Sequence, residues 1–102
     1  MRLLYHPDKK DLSLAGVLYA LGDPVRLEIV RRLAEKGELT CCDALKVQIA
    51  KSTLSHHFKV LRESGVVCSR KEGTQHMNSL RRDDLDDRFP GLLNTILQAI
   101  EP

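Results

Sequence analysis

The sequence predicts a mainly α (α+β) domain of winged helix-turn-helix type, with about five helices and a two-stranded β-hairpin wing. Three observations carry that expectation. Between Ala50 and Gly65, Leu54, Phe58 and Leu61 recur at helical spacing with Val60 beside them, while Ser52, Thr53, Ser55, His56 and Lys59 face the other way. Residues 66–70 and 75–80 follow as two strands, separated by the Gly-containing turn Lys71-Glu72-Gly73-Thr74. The length, 102 residues, holds one domain with one modest core.

Residues 1–11 read as an N-terminal arm. A first helix over residues 12–21 carries Leu14, Val17, Leu18 and Leu21 as an apolar stripe, and Gly22 stops it. Asp23 is a good N-cap and Pro24 suits the first helical position, so a second helix runs over residues 24–36 and buries Leu27, Val30 and Leu33. Gly37 ends it. Thr40 followed by Asp43 resembles a capping arrangement for a short third helix to about Lys46. A tight connection at residues 47–50 then leads into the amphipathic helix, so residues 40–65 form the helix-turn-helix and residues 66–80 the wing. Residues 81–87 read as a polar transition, with acids placed for the start of a helical turn. Phe89, Leu92, Leu93, Ile96, Leu97 and Ile100 form one apolar face on a C-terminal helix over residues 90–101. No repeat, low-complexity tract or linker interrupts residues 1–102, which read as a single domain.

The net charge of +2 conceals an asymmetry along the chain. Residues 46–82 hold eight Lys/Arg against two acids, +6, whereas the remainder holds eight bases against twelve acids, −4. The positive segment coincides with the helix-turn-helix and wing, and a polyanion such as DNA is drawn to such a surface. No apolar run approaches the ~20 residues of a membrane span, and Pro7 and nearby charges break the N-terminus too early for a secretory signal. The expected location is cytoplasmic. Cys41, Cys42 and Cys68 are odd in number and lack framework spacing, which argues for reduced thiols. An enzyme is disfavoured: there is no nucleophile elbow, paired-carboxylate arrangement or Gly-rich phosphate loop.

The order of elements and the residues themselves resemble the ArsR/SmtB family of bacterial winged-helix repressors. Asp23-Pro24-Val25-Arg26-Leu27-Glu28-Ile29-Val30 is similar to the family's opening of helix two. Ser52-Thr53-Leu54-Ser55-His56-His57-Phe58-Lys59-Val60-Leu61-Arg62-Glu63-Ser64-Gly65-Val66-Val67 resembles its recognition helix, and Arg70-Lys71-Glu72-Gly73 its wing. The resemblance spans about residues 12–100. It implies a homodimer that binds a near-palindromic, double-stranded operator as a repressor and lets go when an inducer binds.

On that reading Ser52, Thr53, Ser55 and His56 make the first contacts, with Gln48 as a candidate for adenine or phosphate. Lys46, Lys51, Lys59, Arg62, Arg70 and Lys71 suit phosphates. His57, next to Phe58, stays open between an outward position and a partly buried structural one. Apolar residues on the first and last helices, Leu14, Leu18, Leu92, Leu93, Ile96, Leu97 and Ile100, are expected to pair across a two-fold axis. Two recognition helices then lie roughly 34–36 Å apart.

The inducer is less constrained. Arsenic- and cadmium-sensing members carry Glu-Leu-Cys-Val-Cys-Asp-Leu, where this chain reads Glu38-Leu39-Thr40-Cys41-Cys42-Asp43-Ala44-Leu45. Adjacent helical residues point about 100° apart, so Cys41 and Cys42 are poorly placed to share one soft ion. The last helix has no His, Asp, Glu or Cys between Phe89 and Ile100 for a zinc site. No metal or cofactor is therefore expected. Two readings of Cys41, Cys42 and Cys68 stay open: small buried hydrophobes, or a thiol-based redox or metalloid sensor. His6 and His76 read as exposed polar residues. A winged-helix module that binds protein rather than DNA is the remaining alternative.

Overall fold

Short polar side chains start the first two long helices. Asp23 Oδ1 accepts from the backbone N–H of Val25 at 2.8 Å and of Arg26 at 3.1 Å, and Pro24 occupies the first turn. Helix α2 (Pro24–Lys36) follows and ends at Gly37, whose φ is 86°. Helix α1 (Leu14–Leu21) starts two residues later than the apolar pattern suggests. Ser13 is its cap, accepting from Gly16 N–H at 3.0 Å, which leaves Leu12 outside the helix and buried.

The computed structural model describes residues 5–40 and 49–100. A 3₁₀ turn (Lys9–Asp11) precedes α1. After α2 come strand β1 (Glu38–Thr40), helix α3 (Lys51–Glu63), strands β2 (Val67–Glu72) and β3 (Gln75–Leu80), and helices α4 (Arg82–Arg88) and α5 (Leu92–Ala99). Thr40, expected to cap a helix, ends β1 instead. The rest of that expected short helix lies outside the described residues.

Strands β2 and β3 form the expected two-stranded hairpin wing, and β1 joins β3 to make a three-stranded antiparallel sheet of order β1-β3-β2. Glu38 pairs with Ser79 and Thr40 with Met77, while β2 and β3 stay in register from Val67↔Leu80 to Glu72↔Gln75. The hairpin loop is therefore only Gly73-Thr74, and Gly73 takes the positive φ, 63°, that the turn requires. Buried Asn78 ties the three strands together: its Oδ1 accepts from Ser69 Oγ at 2.5 Å and its Nδ2 donates to the Leu39 carbonyl at 3.2 Å.

The core lies among α1, α2, α3 and the sheet, with Val17, Ile29, Leu33, Phe58, Leu61 and Val67 at its centre. On α2 the inward residues are Arg26, Ile29, Val30 and Leu33, a one-turn repeat that leaves Leu27 only half-buried, contrary to the simple stripe. The segment after β3 is a true helix, α4, with Leu85 buried. Gly91, at φ 82°, turns the chain so that α5 begins at Leu92.

The described part of the N-terminal arm, residues 5–11, is docked. His6 Nε2 accepts from Ser69 N–H at 3.0 Å on edge strand β2, so His6 is half-buried rather than simply exposed. Arg81 donates to the Pro7 carbonyl and Arg88 to the Leu12 carbonyl, each at 2.7 Å, and Lys9 pairs with Asp87. At the α3–β2 corner, a Cβ on Gly65 (φ 88°) would stand 2.0 Å from Leu12 Cδ2. Gly73 has nothing comparable nearby. Gly65→Ala is expected to cost about 2 kcal/mol or more, and Gly73→Ala about 1, measured by urea unfolding.

Several carboxylates are held below their ordinary range. For Asp23 burial works in the opposite direction, but the N–H groups of Arg26 and Val25 outweigh it. For Glu28 the Arg31 hydrogen bond dominates, opposed by burial and aided by Arg32. A depressed carboxylate stabilises the fold above its unfolded pKa, near 4, and that contribution is lost as pH falls through the folded value. These carboxylates are expected to lower the urea midpoint as pH falls below about 4.

Candidate nucleic-acid interface

Helix α3 is set by its inner face. Phe58, Leu61 and His57 are buried and Leu54 and Val60 are half-buried, so Lys51, Ser52, Thr53, Ser55, His56 and Lys59 are all exposed. Ala50 caps the helix without a side-chain hydrogen bond. The first-turn N–H groups therefore gain no capping bond from it, and they lie beside short hydroxyls that allow a close approach. Gln48 and Lys46 lie outside the described residues.

The cations of the positive segment are not equivalent. Arg62 is half-buried, with Nε enclosed and unpartnered among the described residues. Arg70 is exposed, but its guanidinium is committed to Glu38 across the sheet and to Glu72 at 2.7 Å. That pairing depresses the Glu38 carboxyl and raises Arg70 further above its ordinary value. Arg81 binds Asp84 and the Pro7 carbonyl, and Arg82 donates to Asn94. Lys51, Lys59 and Lys71 are exposed and have no ion-pair partner among the described residues.

His57 takes the structural position. It is 8% exposed, and its Nδ1 lies 3.2 Å from Nη1 of Arg26. Arg26, 7% exposed, also donates to the Ala20 carbonyl at 2.6 Å and stacks over the Tyr19 ring at 5.6 Å. Sequence reasoning passed over Arg26. The signal was a cation standing in the inward stripe of α2 with Ile29, Val30 and Leu33.

An apolar groove lies between the first and last helices, lined by Leu18, Leu21, Leu27, Ile96, Ala99 and Ile100. Leu14 and Leu18 remain 49% and 47% exposed. Leu92, Ile96, Leu97 and Ile100 are half-buried, but Leu93 is 2% exposed and packs within its own core, so it leaves the outward stripe. Cys68 is exposed on β2 beside His6 and Asp8, which removes it from the buried-hydrophobe reading. Cys41 and Cys42 lie outside the described residues. Among the described residues, no group of three or more His, Cys, Asp and Glu could hold a metal, and no helix is long and apolar enough to cross a membrane.

Residues 23–69 match the model of the bacterial regulatory protein family arsR. Over 75 residues the chain is 45% identical to the arsenical resistance operon repressor of Staphylococcus xylosus, covering 72% of this chain and 71% of that protein. The chain belongs to the arsR family. Over 88 residues this arsR-family chain is also 39% identical to the HTH-type transcriptional regulator YceK of Bacillus subtilis, covering 84% of this chain and 88% of that protein. The solved structure of the transcriptional repressor BigR from Xylella fastidiosa is similar, with a TM-score of 0.66, 31% identity and 87% of each chain covered. The arsR-family chain is thus a DNA-binding transcriptional regulator of winged-helix fold, and its relatives are regulators, not enzymes.

Proposed function

We propose that the protein is a repressor that binds a near-palindromic operator as a homodimer and is released by a chemical signal. One observation supports this above all. Helix α3 turns its apolar residues into the core and leaves an unbroken polar face of hydroxyls, an imidazole and lysines in solvent. Such a face suits the major groove, whose width admits a helix and whose base edges offer hydrogen-bond partners. Ser52, Thr53, Ser55 and His56 are assigned to base edges and nearby phosphates, with Gln48 beside them. Lys51, Lys59, Arg62 and Lys71 are assigned to phosphates. Arg70 is held in reserve by its two glutamates.

The dimer reading is supported by the apolar surface left on α1 and around α5: Leu14, Leu18, Leu92, Ile96, Leu97 and Ile100. A chain this small has no further element among its described residues to cover both. Two-fold pairing there presents two copies of α3 to successive grooves. Resemblance to an arsenical resistance operon repressor makes arsenite the first signal to try, and exposed Cys68 adds oxidants. The deciding experiment is a gel shift against the DNA upstream of the protein's own gene, repeated with arsenite, zinc, oxidant and reductant. Retardation relieved by one of these is expected; no retardation, with capture of a specific protein instead, rejects the reading.

Sedimentation is expected to give a dimer mass at micromolar concentration. Leu18→Glu combined with Ile96→Glu is expected to give a monomer that binds operator at least about tenfold more weakly. Anisotropy titrations against salt are expected to separate the cations. Lys59→Ala should weaken binding to every duplex and reduce the salt slope by about one. Arg70→Ala should leave the slope unchanged unless Glu38 and Glu72 are also replaced by Gln.

A further inference from the structure

The buried guanidinium of Arg26 lies outside the polar face of α3, yet it joins that helix to α1. Its Nε donates to the Ala20 carbonyl at 2.6 Å and its Nη2 to the Tyr19 carbonyl at 3.4 Å, both in the last turn of α1. Its Nη1 lies 3.2 Å from His57 Nδ1 on α3. Arginine carries only donors and stays charged, so Nδ1 must be the acceptor. The ring is then neutral, with its proton on Nε2. We propose that the Arg26–His57 hydrogen bond is a positioning contact that sets α3 against α1, so that selective DNA binding requires an uncharged His57.

Protonation reverses the chemistry of the contact. Imidazolium has a donor on each nitrogen, so the acceptor disappears and a second cation stands beside a buried guanidinium. The Asp23 carboxylate interacts with both groups and moderates this repulsion. Its carboxylate is engaged by the N–H groups of Val25 and Arg26, and it makes no hydrogen bond to His57. From α1, the Tyr19 ring covers the guanidinium. On α3 itself the neighbouring group is His56, its ring centroid 6.1 Å away. His56 is exposed, so its protonation adds a cation to the DNA-facing side. Protonation of the adjacent histidines therefore acts in opposite directions: at His56 it strengthens binding and at His57 it unseats the helix.

The proposal rests on α3 being the DNA-facing helix, and the test separates the two claims. Wild-type full-length protein first selects a duplex from a random pool; failure to select any rejects the reading of α3 and this proposal with it. Anisotropy on the selected duplex then follows affinity from about pH 8 to about pH 5.5. His57→Asn keeps an acceptor oxygen that does not titrate. Wild-type affinity relative to His57→Asn is expected to fall about tenfold over that span, the size of one lost hydrogen bond to a charged group. His57→Leu is expected to lose about tenfold for the selected duplex at about pH 8, with thermal unfolding and affinity for unselected DNA retained. If His57→Leu does not fold, the comparison of wild type with His57→Asn decides. Superimposable pH profiles, a folded His57→Leu that discriminates as wild type does, or a nitrogen NMR spectrum that places the ring proton on Nδ1 overturns the proposal.

Discussion

The packing of α3 against the core is the constraint from which the rest of the molecule follows. Phe58 and Leu61 are fully buried, and they occupy the same thirteen-residue helix, Lys51–Glu63, that carries the polar face. In so small a domain one helix serves as core wall and, on the proposed reading, as surface for a partner. Close packing makes its rotation discontinuous: a turn of one residue, about 100°, exposes Phe58 and buries Lys59. The placement of Ser52, Thr53, Ser55 and His56 is therefore an indirect product of apolar contacts that none of them makes. Arg26 adds a directional contact to this non-directional packing, because a guanidinium that binds two α1 carbonyls and a ring nitrogen on α3 has little freedom to slide.

What the sequence disclosed and what it hid divide along a physical line. Helix α2 was legible to the residue because its start and stop are local: Asp23 and Pro24 at one end, Gly37 at the other. The sides of α3 were legible because the apolar period is strong. Strand β1 was not, since three residues carry no measurable alternation and the strand exists only through its pairing with β3, far along the chain. The start of α1 was misplaced because apolar Leu12 resembles the helical stripe, whereas the capping hydroxyl belongs to Ser13. On α5 the period revealed a stripe but not which edge of it faces inward. Leu93 turned to the core, and Ile96 and Ile100 were left to line the groove.

Charge was the least literal signal. The positive segment of residues 46–82 is real, but its arginines are largely structural: Arg70 closes onto Glu38 and Glu72, Arg81 onto Asp84 and a carbonyl, and Arg82 onto Asn94. Outside the segment Arg26, Arg31 and Arg88 do the same with carbonyls and carboxylates. A planar fork with five donors suits such fixed partners, while the ammonium of lysine is more strongly hydrated and stays in water. Lys51, Lys59 and Lys71 follow that division; among the described residues, Lys9, paired with Asp87, is the exception.

That division bears on how DNA would be discriminated. Bidentate arginine on guanine is the commonest strong base contact, and the exposed part of α3 presents none. Lysines acting as point charges attract any duplex and lose affinity steeply with salt, so on the proposed face they supply strength rather than choice. On α3 itself choice is left to three hydroxyls and an imidazole, each able to donate or accept and each a weaker discriminator than a bidentate fork, with Gln48 proposed beside them. A protein with so few strong base contacts gains selectivity by presenting the same weak set twice at a fixed spacing, because the second set engages at a high effective concentration only when both half-sites are present. The apolar groove bordered by Leu18 and Ile96 and the arginine-poor outer face of α3 are both what the proposed pairing of two chains calls for.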